Sequence, residues 1–172
     1  MHETNDSRPM GKGMLIIFWV LVLAVLTWGF GGWEAQKNNP NANPNSSTTN
    51  TYREVVLDSN RHHHYIATGL INRAKVTFLL DTGATDVVIP EQLANKLKLQ
   101  KGASHIALTA NGNVRVYATS IDHLQLGTIE LRNVRASINP GMRGNEVLLG
   151  MSALSAVEFR QTNGQLILRQ YN

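Results

Sequence analysis

The sequence predicts an all-β domain with one or two short helices. Three observations carry this expectation. From Tyr52 onward, apolar and β-branched residues come in short runs separated by turn signals. Two Asn-Gly pairs, Asn111-Gly112 and Asn163-Gly164, sit between such runs, and Asn-Gly suits a two-residue hairpin because both positions take positive φ. Helical patterning after Tyr52 is confined to residues 91–99 and 151–156. Many short strands with so little helix fit a closed or sandwiched β domain.

The chain has 172 residues, which matches one folded domain. It contains no cysteine, so disulfide frameworks, thiol nucleophiles and cysteine zinc sites are excluded. There are 16 Lys and Arg against 12 Asp and Glu, scattered without a run of one sign. That is the pattern of a solvated surface, whereas a nucleic-acid interface clusters its positive charge.

Taken in order, residues 1–13 are polar and read as a short cytoplasmic tail. Met14 to Trp33 is an uncharged run of about 20 residues, the length of a membrane-crossing helix. Trp28 and Trp33 fall where an interfacial aromatic belt sits. A cleaved signal peptide is the rival reading, but the run is long for one and no Ala-x-Ala site follows it. Arg8, Lys12 and the amino terminus precede the helix and Lys37 alone follows closely. The expected orientation therefore keeps the amino terminus in the cytoplasm and exports the rest, into the periplasm if the source is bacterial. Residues 34–51 are rich in Asn, Pro, Ser and Thr and read as a flexible linker, with a root-mean-square reach of roughly 25 Å. Asn45-Ser46-Ser47 matches a glycosylation sequon.

Residues 52–172 form the expected domain. Strands are predicted at Glu54 to Leu57, His64 to Ile71 and Val76 to Leu80, with a turn at Asn72-Arg73-Ala74. A second apolar run, Val87 to Ile89, stops at Pro90 and leads into a helix from Glu91 to Leu99. Further strands are predicted at His105 to Thr109, Val114 to Ile121, Leu124 to Leu126, Ile129 to Leu131, Val134 to Ile138 and Glu146 to Leu149. A short helix, Met151 to Ala156, and a last hairpin, Val157–Arg160 with Leu166–Leu168, complete the chain. No internal repeat is visible.

Leu79-Leu80-Asp81-Thr82-Gly83-Ala84 carries the chemistry. An apolar strand delivers a carboxylate to a tight turn, and a charge at the mouth of buried strands is costly unless it is hydrogen-bonded or neutralised. Such positions are where carboxylates are tuned for catalysis. Gly83 lets the backbone approach the carboxylate, and Ala84 is small enough to line a cleft. Peptide hydrolysis by carboxylates needs two of them around one water, one as general base and one as proton donor.

The segment closely resembles the active-site motif of retropepsin-like aspartic proteases. The likeness runs from Tyr52 to Tyr171 and rests on three parts in order: Leu79 to Ala84, a flap-like hairpin Leu108 to Val114, and Val147-Leu148-Leu149-Gly150 followed by a short helix. Met151 to Leu154 and Gln165 to Gln170 look like the membrane-anchored bacterial branch. The resemblance implies a closed β-barrel lobe that is active as a homodimer, because a single Asp-Thr-Gly needs a second copy of Asp81 across a two-fold axis. It implies catalytic roles for Asp81, Thr82 and Gly83, substrate contacts from Ala84, Thr85, Ala110, Asn111, Gly112, Leu149 and Gly150, a strand Val147 to Gly150 that runs behind the turn and supports it, and no cofactor. Thr85 departs from the viral pattern, which has an aspartate there. The flap lacks a glycine-rich tip, and the viral terminal-strand dimer sheet has no clear counterpart.

Other readings are weaker. His62-His63-His64 offers two ligands on one strand face but no third, and catalytic zinc wants three. Asp-Thr-Gly-Ala-Thr also resembles the phosphorylated loop of P-type ATPases, but no lysine follows the aspartate. The alternative for the whole domain is a catalytically silent module of the same fold that binds a peptide or partner. Self-cleavage in the linker is a further possibility.

Overall fold

The computed structural model describes residues 8–109 and 112–172. The chain forms two compact units, the first ending at Lys37 and the second running from Asn38 to Asn172, and each is described by itself.

The first unit is helix α1, which spans Arg8–Asn38. Within it, Gly13–Glu34 is long and apolar enough to cross a membrane. Leu15, Phe18, Trp19, Leu23, Trp28 and Phe30 are all exposed, so apolar side chains occupy every side of the helix rather than one stripe. Near its end, the Lys37 ammonium lies 3.8 Å from the Trp33 ring centroid.

The second unit is all β with two short helices. Its strands are β1 Asn45–Thr48, β2 Tyr52–Asp58, β3 Ile66–Ile71, β4 Ala74–Leu80 and β5 Val87–Pro90, then β6 Ser104–Thr109, β7 Gly112–Leu126 and β8 Ile129–Asn139, and last β9 Glu146–Leu149, β10 Glu158–Thr162 and β11 Gln165–Tyr171. Helix α2 spans Glu91–Lys96 and α3 spans Met151–Leu154. Seven strands run in the order β3-β4-β9-β5-β8-β7-β6, and β3 also pairs with β7. That extra pairing closes the first six into a barrel and leaves β6 outside, joined only to β7. Closure removes the two edges that an open sheet of these strands would leave, at β3 and β7. A second sheet, β1-β2-β11-β10, has β1 and β10 as its free edges.

Alternation fixes which faces are buried. Along β2, Val55 and Leu57 are fully buried, and Leu166 and Leu168 of β11 join them in one core with Phe78, Ile71, Ile121, Leu124 and Val147 of the barrel. Turn chemistry agrees with sequence. Asn72 and Arg73 between β3 and β4 both have positive φ (48° and 70°), as do Asn163 and Gly164 between β10 and β11 (48° and 77°), which is what two-residue hairpins require.

Three expectations are corrected. Residues 34–51 are not a loose linker. Helix α1 runs on to Asn38, β1 pairs with β2 in antiparallel register, and Asn41 is buried. The Asn41 side chain donates to the carbonyls of Asp58 (2.9 Å) and Ile66 (2.7 Å) and accepts from the Asp58 amide (2.8 Å), while its own carbonyl accepts from Thr68 N–H (3.0 Å). The polar composition that reads as disorder is consumed by hydrogen bonds to strand ends. The four short strands expected between 114 and 138 are two long ones, β7 and β8, because the ladder keeps one register across Asp122 and Asn133. His62-His63-His64 lies in the turn before β3, with His63 at φ 60°, rather than on a strand.

Candidate active site

Asp81 sits where four strand segments converge. Strand β4 delivers it and pairs in parallel with β9, Leu80 opposite Leu149. Strand β5 leaves the turn antiparallel to β9 at Val88–Leu148 and parallel to β8. The turn is therefore clamped from both arms by one strand, and β-branched and leucine side chains hold it because all four strands are buried on at least one face.

Hydrogen bonds fix the turn itself. Asp81 N–H donates to the Leu149 carbonyl (3.2 Å), and Ala84 N–H donates to the Asp81 carbonyl (3.2 Å). The Gly83 N–H donates to Asp81 Oδ1 at 2.9 Å and orients the carboxylate. Below, Met151 N–H donates to the Ala84 carbonyl (2.8 Å) and Ser152 N–H to the Thr85 carbonyl (2.9 Å), so the start of α3 anchors the turn's floor.

Asp81 is half-buried, and Thr82 and Gly83 are exposed. Asp81 and Thr82 open onto a pocket of about 370 Å³ walled by Tyr65, Leu80, Leu154, Phe159, Gln161, Leu166 and Leu168. Among the described residues lining it, Asp81 is the one carboxylate. The next acid along the chain, Asp86, is committed elsewhere: it takes Arg135 Nε at 2.6 Å on one oxygen and the Ser137 hydroxyl at 3.1 Å on the other. Ser152 completes this brace, donating to the Arg135 carbonyl (2.7 Å) and accepting from Val87 N–H (3.0 Å).

The structure brings Asp81, Thr82, Gly83, Ala84 and Thr85 together at the turn. Leu149 and Gly150 are also there, but behind it. Leu149 is in the core, and a Cβ on Gly150 would lie 2.2 Å from the Asp86 carbonyl oxygen. The expected supporting role of this strand fits their burial, whereas the expected substrate contacts do not, since neither residue lines the pocket at Asp81. Gly112 opens β7 opposite Thr109, with φ 105°. Ala110 and Asn111 lie outside the described residues. On the arm of that hairpin, Ile106 and Leu108 are exposed apolar side chains. The His62 and His64 ring centroids are 6.3 Å apart, and no group of three potential metal ligands occurs among the described residues.

Sequence reasoning missed the Asp86–Arg135–Ser137 brace and the Phe159 and Gln161 wall. The first had a signal: Arg135 and Ser137 alternate on a strand, so both reach one neighbour on the same face. The second had none, because β10 reaches the pocket only through tertiary packing.

A single-lobe β barrel with an Asp-Thr-Gly turn clamped between its strands defines a retropepsin-like fold. The family described as gag-polyprotein putative aspartyl protease matches residues 67–156, just over half of the chain, and the protein belongs to that family. A crystal structure of a retropepsin-like aspartic protease from Rickettsia conorii is 27% identical, with a TM-score of 0.57, and covers 74% of this chain and 96% of that one. An uncharacterized protein from the cobV 5′ region of Sinorhizobium sp. is 29% identical over 112 residues, 63% of this chain and 48% of the relative. The uncharacterized protein RP867 of Rickettsia prowazekii is 27% identical over 123 residues, 69% of this chain and 52% of the relative. The chain spans about half the length of these two curated relatives.

Proposed function

We propose that this protein is a membrane-anchored aspartic endopeptidase, active as a homodimer that contributes one Asp81 from each chain. The observation that carries the reading is the isolation of Asp81. It is oriented by Gly83, opens onto a pocket with no second carboxylate among the described lining residues, and its acidic neighbour Asp86 is neutralised by Arg135. Hydrolysis needs a second carboxylate, and a two-fold copy supplies an identical one. Two such groups a few ångströms apart share one proton. The ionised partner takes a proton from the bound water as it attacks the peptide carbonyl, and the protonated partner donates to the carbonyl oxygen. The exposed Thr82 hydroxyl has no hydrogen-bond partner among the described residues and is free to brace the facing turn. The roles of Ala84 and Thr85, and of the hairpin at Ala110, Asn111 and Gly112, are to line and cover the cleft. Helix α1, apolar on all sides, is the anchor, with Arg8 and Lys12 on the cytoplasmic side and the protease unit exported.

The test is cleavage of a diverse peptide mixture by the full chain in liposomes at several surface densities, with Asp81→Asn alongside. Initial rates should rise faster than linearly with density and fall by at least about a hundredfold in the variant. Peptide binding without Asp81-dependent cleavage would instead identify a silent binding module.

A further inference from the structure

We infer that the second copy docks on the free edge of β10, in an antiparallel register centred on Phe159. This rests on the homodimeric reading above and names the surface that completes the site.

The two-residue turn at Asn163-Gly164 makes Thr162 and Gln165 its closing hydrogen-bonded pair, and register then alternates along the strand. Arg160 and Glu158 point their main-chain groups inward to β11. Phe159 and Gln161 therefore point their N–H and C=O groups outward. No other element pairs with that edge, and no main-chain bond outside the β10–β11 ladder reaches either residue among those described. An unpaired edge is a template for another strand. The side chains of the same two residues face the Asp81 pocket, so whatever pairs with this edge is carried to the catalytic turn. Phe159 is 43% exposed there, an aromatic ring without a cover.

The opposite face decides the occupant. With Phe159 opposite its own copy, Glu158 of one chain stands against Arg160 of the other, twice, in the closer, non-hydrogen-bonded pairing. Shifting the centre to Arg160 sets arginine against arginine, and shifting it to Glu158 sets glutamate against glutamate. The Arg160 side chain is exposed and has no ion-pair or hydrogen-bond partner among the described residues, and Glu158 keeps acceptor capacity beyond its bond from the Tyr171 hydroxyl. The strand is thus self-complementary in charge, which fits a second copy of this chain better than an arbitrary peptide.

The absence of cysteine makes the test clean. Single substitutions Glu158→Cys, Phe159→Cys, Arg160→Cys, Gln161→Cys and Thr162→Cys are placed in the full chain in liposomes and oxidised mildly. Directly opposed residues lie about 5.5 Å apart at Cα, within disulfide reach, and each step off the axis separates the two copies by roughly 7 Å more. Cross-linking should peak at Phe159→Cys and fall on both sides. A peak at Arg160 or Gln161, or a flat profile, overturns the inference. In parallel, Glu158→Arg and Arg160→Glu should each lower peptidase activity at low surface density by about tenfold, and the double variant should recover it. Failure to recover in a chain with unchanged circular dichroism also overturns it. A flat profile in a chain whose cleavage needs Asp81 rejects the seam and keeps the protease. A Phe159 peak without Asp81-dependent cleavage keeps the seam and rejects the protease.

Discussion

A methyl group on residue 150 would lie 2.2 Å from the Asp86 carbonyl oxygen and 2.6 Å from that of Ala84, both rigid main-chain atoms at the Asp81 turn. Neither arm of the turn can retreat, because Val88 and Leu80 are paired to the strand that Gly150 ends. Gly150→Ala should therefore destabilise the protease unit by at least about 1–3 kcal/mol, read as the urea midpoint of unfolding. It should also lower the turnover number more than it raises KM, since displacing the turn misplaces Asp81 without removing a peptide contact. The Tyr171 hydroxyl shows a milder residue-level effect: its bond to Glu158 holds the phenol above its ordinary pKa.

Among the elements, β1 is the one its own residues conceal. Asn-Ser-Ser-Thr has no apolar alternation, and its burial is that of a fully exposed edge. Besides the ladder to β2, what holds the segment is the buried Asn41, whose side-chain amide bonds the main-chain groups of Asp58 and the carbonyl of Ile66. Asn41→Ala would leave two carbonyls and one amide unpaired. The expected cost is about 2 kcal/mol or more, with amide exchange accelerating at Asp58 and Thr68 before the rest of the barrel is affected. Equal exchange throughout the unit would show that Asn41 does not act as a local latch. The barrel, by contrast, was legible because Val, Ile and Leu alternate or run continuously and Asn-Gly marks turns. The tight turn after β4 was legible from Asp81, Thr82 and Gly83 themselves. Support of the turn by the strand ending at Gly150 was legible from the resemblance, while the burial of Leu149 and Gly150 away from the cleft was not, since spacing shows that a strand is near the turn but not which surface it presents. Strand β10 gave no sign of its edge, because an edge is a property of the sheet's order and not of Glu158–Thr162.

At the scale of the molecule, long-range pairing dominates. Strand β11 lies between β2 and β10, and β9 sits between β4 and β5. Loops that long close late and slowly. The Asp81 carboxylate is thus synthesised well before the residues that clamp it, roughly 70 residues further along, and the growing chain presents its Asp-Thr-Gly as plain peptide until Leu149 and Gly150 arrive. Nascent chains arrested before residue 146 should be digested by an added protease at residues 81–90, and chains extended past residue 171 should resist. The parallel seam between β4 and β9 then works as a timer: the Asp81 turn, whose support comes from distant parts of the chain, stays unassembled while the chain is still being made.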